Sequence, residues 1–322
     1  MNPHLQIIIS NQDNPYWNLA VEDFLLNQNL HNTVTMYLWK NRQTVVIGLN
    51  QNPYNECNVD KLIAEGGFLA RRKTGGGAVF HDLGNINFSF IADKDHYNVT
   101  KQLNVIQTAL QHYGLSTEIS GRNDLTFEGR KFSGNAFSKG KFQNLHHGTI
   151  LIKTDVDKIQ QYLTVKPAKL AKHGVQSVAS RIINLSEVAD ITSDNIIRHL
   201  TDAFQQVYQG ECQVIDFDNI IQKEETQILQ QSFADKEFLY GKWKNFSTKI
   251  SQQFPWGHVE IDIDIDESQH SIRTIEIATD CLQLQAVKTA KELLTNANST
   301  IAPDIPDIED KFIIEDIFHL IY

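Results

Sequence analysis

Arg71-Arg72-Lys73-Thr74-Gly75-Gly76-Gly77-Ala78-Val79-Phe80-His81-Asp82 runs through Leu83 and Gly84 into Asn85-Ile86-Asn87-Phe88-Ser89-Phe90. Three consecutive glycines let the backbone pass close to a ligand and present successive N–H groups to an anion. The three cations before them bring charge suited to phosphate, with arginine offering a two-pronged donor. A glycine turn beside a solvated basic patch would read the same way, so the segment alone admits both. The residues after the glycines decide the fold class. Ile86, Phe88 and Phe90 alternate with Asn87 and Ser89, the pattern of a half-buried strand. No GxxxxGK[ST] is present, and no GxGxxG opens a helix. A glycine loop that leads into a strand belongs to neither a P-loop nor a doubly wound dinucleotide fold.

The flanking sequence agrees. Asn14 suits a helix cap and Pro15 the first helical position, with Trp17, Ala20, Val21, Phe24 and Leu25 on one face. Val34 to Trp39 and Val45-Val46-Ile47 read as strands, Gly48 closing the second. Val99, Leu103, Ile106 and Leu110 form a helical stripe, with Gly114 where a C-cap belongs. Ile150 to Ile152 read as a strand, and Ser193 opens a helix carrying Ile196, Ile197, Leu200, Phe204 and Val207 inward. Strands and helices mix without a strict βαβ rhythm, which predicts an α+β fold with a mixed or antiparallel sheet flanked by helices.

The character of the chain changes after Asp235. Tyr240 to Pro255 is polar and without apolar period, and reads as a linker. Beyond it Val259, Ile261, Ile263 and Ile265 alternate with Glu260, Asp262, Asp264 and Asp266, a strand with one apolar and one acidic, solvated face. A turn at Glu267 to His270, a second strand through Ile275 and Ile277 and a helix with Leu282, Ala286 and Leu293 complete a small α+β domain. The expected division is a large catalytic domain at 1–245 and an accessory domain at 246–322.

The chain has 322 residues, a 41% hydrophobic fraction and a formal net charge of -10. That size suits a large domain plus a small one. The acidity argues against nucleic acid or an anionic membrane surface as partner. Cys57, Cys212 and Cys281 are scattered and lack CxxC spacing, which argues against a disulfide framework or structural zinc and points to a reducing cytoplasm. No basic leader followed by an apolar run, and no stretch approaching ~20 apolar residues, predicts a signal peptide or membrane span.

Three further segments could carry chemistry. Gly121-Arg122-Asn123-Asp124-Leu125 and Gly129-Arg130-Lys131-Phe132-Ser133-Gly134-Asn135-Ala136 form a turn-rich basic stretch. There Lys131 could reach a phosphate or carbonyl, or be an ordinary exposed hairpin lysine. His146-His147-Gly148-Thr149 enters a strand. Neighbouring strand residues point to opposite faces and rarely share a metal ion, so hydrogen-bonded or pocket-lining roles are expected. Gly174 to Arg181, preceded by Lys166, Lys169 and Lys172, reads as a basic loop, serving either a ligand or solvent.

Taken in order, these segments resemble the lipoate–protein ligase A family of the biotin/lipoate ligase superfamily. Its pattern RRxSGGGAVxHDxGNxNFSF is matched from Arg71 to Phe90, with Thr74 in the serine position. GRND and the KxSGxA stretch are matched by Gly121 to Asp124 and Lys131 to Ala136. HHGTxL is matched from His146 to Leu151, SVxSR with Asn-Leu from Ser177 to Leu185, and GxNQNP from Gly48 to Pro53. The similarity spans about residues 5 to 245, and the C-terminal part also resembles the family's accessory domain.

The resemblance implies a biotin/lipoate ligase-like catalytic domain. It implies an enzyme that joins lipoate to ATP with Mg2+, giving lipoyl-adenylate and pyrophosphate. The acyl group then passes to a lysine of a lipoyl domain of a 2-oxoacid dehydrogenase E2 subunit or of glycine-cleavage H protein. A cytoplasmic monomer is expected. By resemblance Lys131 is the catalytic residue, bridging acyl carbonyl and phosphate oxygens. Arg72, Gly75, Gly76, Gly77, Ala78, Val79 and Phe80 correspond to ATP-contacting positions. Asn123 and Asp124 would orient phosphate, with Asp124 a metal ligand, and His81 and His147 would shape the pocket. Trp39, Val79 and Phe88 are candidate walls of an acyl tunnel.

Three other readings compete. An octanoyl or lipoyl transferase of the superfamily needs a cysteine nucleophile, and Cys57 is the candidate. A biotin ligase needs a GRGRxG-type loop, which is missing. A noncatalytic lipoate- or nucleotide-binding regulator would have no need of both Lys131 and the glycine loop.

Overall fold

The computed structural model describes residues 2–121, 124–164, 181–241, 248–266, 270–295 and 297–322. Strands β1 (His4–Ile9), β2 (Thr33–Trp39), β6 (Asn85–Asp93), β7 (Glu118–Ser120), β8 (Asp124–Phe127), β9 (Arg130–Lys139), β10 (Gln143–Leu151) and β11 (Cys212–Ile215) form one eight-stranded sheet in the order β11-β1-β2-β6-β10-β9-β8-β7. β1 is parallel to β2 and β11, and the remaining neighbours are antiparallel. A small sheet pairs β3 (Thr44–Ile47) with β4 (Phe68–Arg71) in parallel and β5 (Val79–His81) antiparallel. β12 (Thr248–Phe254), β13 (Gly257–Asp266) and β14 (Ser271–Thr279) make an antiparallel meander.

The helices are α1 (Pro15–Leu26), α2 (Pro53–Glu56), α3 (Val59–Ala64), α4 (Val99–Gln111), α5 (Val156–Tyr162) and α6 (Ser193–Tyr208). They continue with α7 (Phe217–Ile221), α8 (Glu224–Ala234), α9 (Lys236–Tyr240), α10 (Leu284–Leu294) and α11 (Lys311–Phe318). Asn14 caps α1 by accepting from the Tyr16 N–H at 2.9 Å, and Pro15 opens the helix, as its spacing predicts. Gly114, at φ +74°, reverses the chain shortly after α4 ends.

The large sheet is covered on both faces. One face carries Phe88, Phe90, Met36, Leu38 and Ile150 against α4 and α6. The other carries Tyr37, Trp39, Ile91 and Leu145 against α1, α7 and α8. All nine residues of β6 are therefore buried, where its alternation predicts a half-buried strand. Its polar members Asn87 and Ser89 face α1 and β2 and are satisfied by hydrogen bonds there.

The stretch from Tyr240 to Pro255, expected as a linker, contains β12, whose register against β13 runs from Thr248 to Phe254. Its polar composition is that of an edge strand, with mostly exposed side chains. β13 and β14 form the predicted pair, the helix there begins at Leu284 rather than Leu282, and α11 comes in addition to the expected elements. Ile261, Ile277, Val287, Ile313 and Ile317 close a core of their own. Lys166, Lys169, Lys172, the basic loop as far as Ser180, most of the turn at Glu267 and Asn123 lie outside the described residues.

Candidate active site

β9 and β10 lie side by side with Ala136 opposite His147 and Ser138 opposite Leu145. On the α1 side of the sheet they present two parallel rows, Gly134–Ala136–Ser138 and Thr149–His147–Leu145. Thr149 locks the rows together by accepting the Gly134 N–H at 3.1 Å. Lys131 stands at the beginning of this floor, on the β8–β9 hairpin, whose register shifts between Leu125 and Thr126. Its ammonium is 2.7 Å from the Asp124 carboxylate, and both side chains are over a third exposed. A methyl group at position 134 would lie 2.8 Å from the Lys131 Nζ, so glycine leaves room for the ammonium above the floor.

The glycine loop lies over the next part of the floor. His147 donates from Nδ1 to the Glu22 carboxylate at 2.8 Å, and its Nε2 accepts from the Thr74 hydroxyl at 2.9 Å. Glu22 also accepts from the Ser89 hydroxyl at 2.5 Å, and that hydroxyl accepts from Trp39 Nε1 at 3.1 Å. Thr149 and His147 are two residues apart on β10, roughly 7 Å. The Lys131 ammonium and the residue before Gly75 therefore share one face, one strand step apart.

Arg71 and Arg72 point inward. Arg72 donates to the carbonyls of Gly75 (2.6 Å), Gly77 (2.9 Å) and Val46 (3.2 Å) and to the Thr74 hydroxyl (3.0 Å). Arg71 donates to the carbonyls of Gly48, Leu49, Gln51, Phe238 and Leu239. Burial pushes each guanidinium down to about 10, so both stay cationic at neutral pH. Lys73 pairs with Asp23 at 2.8 Å. Of the three cations, Arg72 braces the glycine loop's carbonyls, with Gly77, Ala78 and Val79 half-buried and Gly75, Gly76 and Phe80 buried.

The other predicted positions divide by face. His81 is buried against Asn41, 3.2 Å from its Nδ1, and its ring packs edge-on to Trp39. Burial, then Arg72 and His147, push its pKa down to about 3. His146 points to the opposite face from His147, between the amides of Gln102 (3.0 Å) and Asn135 (2.9 Å). Phe88 also lies on that helix-covered face, touching Phe90 and His146. It cannot wall a tunnel beside Lys131, because strand alternation sends Asn87 and Ser89, not Phe88, to the site side. Trp39 and Val79 are on the site side. Among the described residues no cluster of three or more His, Cys, Asp or Glu could hold a metal ion.

A narrow crevice of about 10 Å³, room for roughly one water molecule, lies between α1, the Lys73–Thr74 turn and α8. Its walls include Leu19, Glu22, Asp23, Leu145 and Phe233. Glu22 is a site residue that sequence reasoning passes over. The available signal is an acidic residue beside the apolar face of α1, between Val21 and Asp23.

The lipoyl protein ligase A/B catalytic domain model matches residues 14–205, and the bacterial lipoate protein ligase C-terminus model matches residues 244–321. The chain belongs to the lipoate–protein ligase A family. It is 36% identical over 316 residues to the lipoate-protein ligase A of Psychrobacter cryohalolentis, covering 96% of this chain and 91% of that one. It is similar in structure to Plasmodium falciparum LipL1 solved with lipoate, at 30% identity and TM-score 0.84, covering 97% and 98% of the two chains. It shares its fold with a lipoate-protein ligase A solved with ATP, at 23% identity and TM-score 0.63, over 75% of this chain and 99% of that one. A family member with this catalytic domain is an enzyme, and its reaction is the ligation of lipoate.

Proposed function

We propose that the enzyme condenses lipoate with ATP to a lipoyl-adenylate and then transfers the lipoyl group to a lysine of a lipoyl domain. The observation that carries this reading is the Lys131 ammonium, held by Asp124 on the same face of β9 and β10 that the glycine loop meets through Thr74 and His147. In the first step a lipoate carboxylate oxygen attacks the α-phosphorus, and the bond to the β-phosphate oxygen breaks to release pyrophosphate. Lys131 offsets the negative charge shared by acyl and phosphate oxygens, and the braced backbone at Gly75 to Phe80 supplies fixed donors. In the second step a neutral amine attacks the acyl carbon, AMP leaves, and the amine gives up its proton.

For magnesium the donor set is one carboxylate, Asp124, which is partly exposed beside Lys131. Mg2+ keeps several waters and commonly uses one or two carboxylates with substrate phosphates. Asp124 fits such a half-site, completed by the nucleotide, where the ion would offset phosphate charge. Asn123 belongs to the same segment and to the same proposal. We read 1–245 as the catalytic domain and 246–322 as the accessory domain, supported by the separate core of the second. E2 lipoyl domains and H protein are the proposed acceptors, free lipoate the donor, and a cytoplasmic monomer the working form. Among the described residues no helix is long and apolar enough to cross a membrane.

The cysteine-dependent transferase is poorly served by this chain. Cys57 is buried, and burial with Glu56 nearby pushes its thiol up to about 12, leaving almost no thiolate. The direct test is pyrophosphate release with lipoate, ATP and magnesium, followed by mass spectrometry of an added lipoyl domain. Lys131→Ala is expected to keep the wild-type melting temperature and lose on the order of a hundredfold or more in rate. A folded variant with wild-type rate would overturn the assignment of Lys131.

A further inference from the structure

Arg71 is 4% exposed, and among the described residues its guanidinium is partnered by carbonyls alone. It donates to Gly48 (3.1 Å), Leu49 (2.9 Å) and Gln51 (2.7 Å), and also to Phe238 (2.7 Å) and Leu239 (2.6 Å) of α9. The first three belong to a loop that supports the glycine turn. There the Leu49 N–H donates to the Thr74 carbonyl at 2.9 Å. A β-carbon at Gly48 would collide with the Gly76 carbonyl oxygen, so the two backbones lie in contact. Gln51 closes the loop on itself, because its Oε1 accepts the Gly48 N–H at 2.8 Å and its own N–H reaches the Gly48 carbonyl at 3.1 Å. The Asn50 carbonyl takes the Thr279 N–H of the C-terminal segment. Arg71 thus joins the support of the glycine loop to the last helix before β12.

We propose that Arg71 is a positioning residue for the nucleotide site: through loop 48–51 it sets where the glycine loop sits, and it ties that setting to α9. The inference rests on the ligase reading and deepens it. Taking a guanidinium out of water with no carboxylate beside it is costly. Carbonyl oxygens from two separate segments offset that cost only while both segments stay in place, so disturbing one disturbs the other. The planar fork carries five N–H donors at fixed angles, whereas a lysine ammonium is a single point with three. Lysine at this position keeps the charge but cannot span both segments. The two adjacent arginines therefore divide the work. Arg72 holds the Gly75 and Gly77 carbonyls directly, and Arg71 holds the loop against which Thr74 and Gly76 rest.

The test compares the wild-type chain with Arg71→Lys and Arg71→Met, with melting curves for each. It measures KM and kcat for ATP in pyrophosphate release with lipoate, and hydrogen exchange with and without ATP, magnesium and lipoate. Both variants are expected to lower kcat/KM for ATP on the order of a hundredfold, the cost of displacing a binding loop by about 1 Å, with most of the loss in KM. In wild type the ligands are expected to slow exchange in the glycine loop and also in the peptide 236–241, where the Leu239 and Gly241 N–H groups donate to the Asp235 and Glu237 carbonyls. In Arg71→Lys the glycine loop is expected to respond and α9 to stay as it was. A folded Arg71→Lys enzyme with the wild-type KM for ATP would overturn the role of Arg71, and so would an α9 response equal to that of wild type. The wild-type exchange decides even where both variants unfold, since ligands that slow the glycine loop and leave α9 unchanged would refute the tie. A wild-type chain that releases no pyrophosphate with lipoate would overturn the ligase reading itself, a result distinct from these.

Discussion

At the scale of single residues, the two buried histidines flanking His147 carry a consequence for pH. Burial, with help from Arg72 and His147 for His81 and from His147 for His146, lowers each from the usual 6.5 to about 3. The unfolded chain takes up both protons near pH 6.5, whereas the folded chain holds off until near pH 3. Between these values the unfolded state binds more protons, so stability falls as pH falls. Each histidine contributes up to about 1.4 kcal/mol per pH unit across the window. Denaturant midpoints measured from pH 7 to pH 5 are expected to drop, and His146→Gln is expected to remove about half of the slope. A midpoint that stays flat would show that the folded and unfolded chains take up these protons at the same pH. The motif residues were legible because each chemical need sits in a few consecutive letters, a cation beside glycines or a lysine before Ser-Gly. Glu22 was not, because its role arises only when α1 packs over β10 and brings the carboxylate to His147 and Ser89. The inward turn of Arg71 and Arg72 was equally hidden, since a sequence shows the charge but not the carbonyls that await it.

At the scale of elements, β9 makes room for the Lys131 ammonium through a missing side chain. A β-carbon at Gly134 would meet the Nζ of Lys131 at 2.8 Å and its Cε at 3.0 Å. Both are the far end of a flexible chain, so Gly134→Ala is expected to keep its fold and displace the ammonium from Asp124. Pyrophosphate release would then fall by on the order of a hundredfold, with melting within a few degrees of wild type. An unchanged rate in that variant would mean that the ammonium does its work from another position. Period-2 and period-3.6 patterns gave α1, β2, α4, α6, β13 and β14, where an apolar face met a core. They failed where burial is decided by distant segments. β6 read as half-buried because its polar alternates look solvated, yet they are buried and hydrogen-bonded under α1. β12 read as linker because an edge strand with exposed side chains has no apolar period to display.

At the scale of the whole molecule, the glycine loop is sealed from outside by the C-terminal segment. Gly76 donates its N–H to the Cys281 carbonyl at 3.3 Å, and the Thr279 N–H reaches the Asn50 carbonyl at 2.9 Å. Asn55 donates to Glu260 across the same boundary. A side chain at position 75 would run into the Cys281 carbonyl, so glycine there serves the approach of the second chain segment as much as that of a ligand. A loop N–H engaged by Cys281 is a donor withheld from phosphate. Nucleotide binding at Gly75 to Phe80 then requires the turn at Cys281 to withdraw, and binding energy that favours the withdrawn arrangement would shift the population toward it. The Thr279 N–H reports on this directly, because in the sealed arrangement it donates to the Asn50 carbonyl. Its exchange with deuterium, read by peptide mass spectrometry, is expected to accelerate when ATP, magnesium and lipoate are added together. The amides of β6, paired on both sides within the large sheet, serve as the internal control that stays slow. If the Thr279 N–H stayed as protected with all three ligands as without them, the seal would persist through adenylation, and the phosphates would have to be held without the Gly76 N–H.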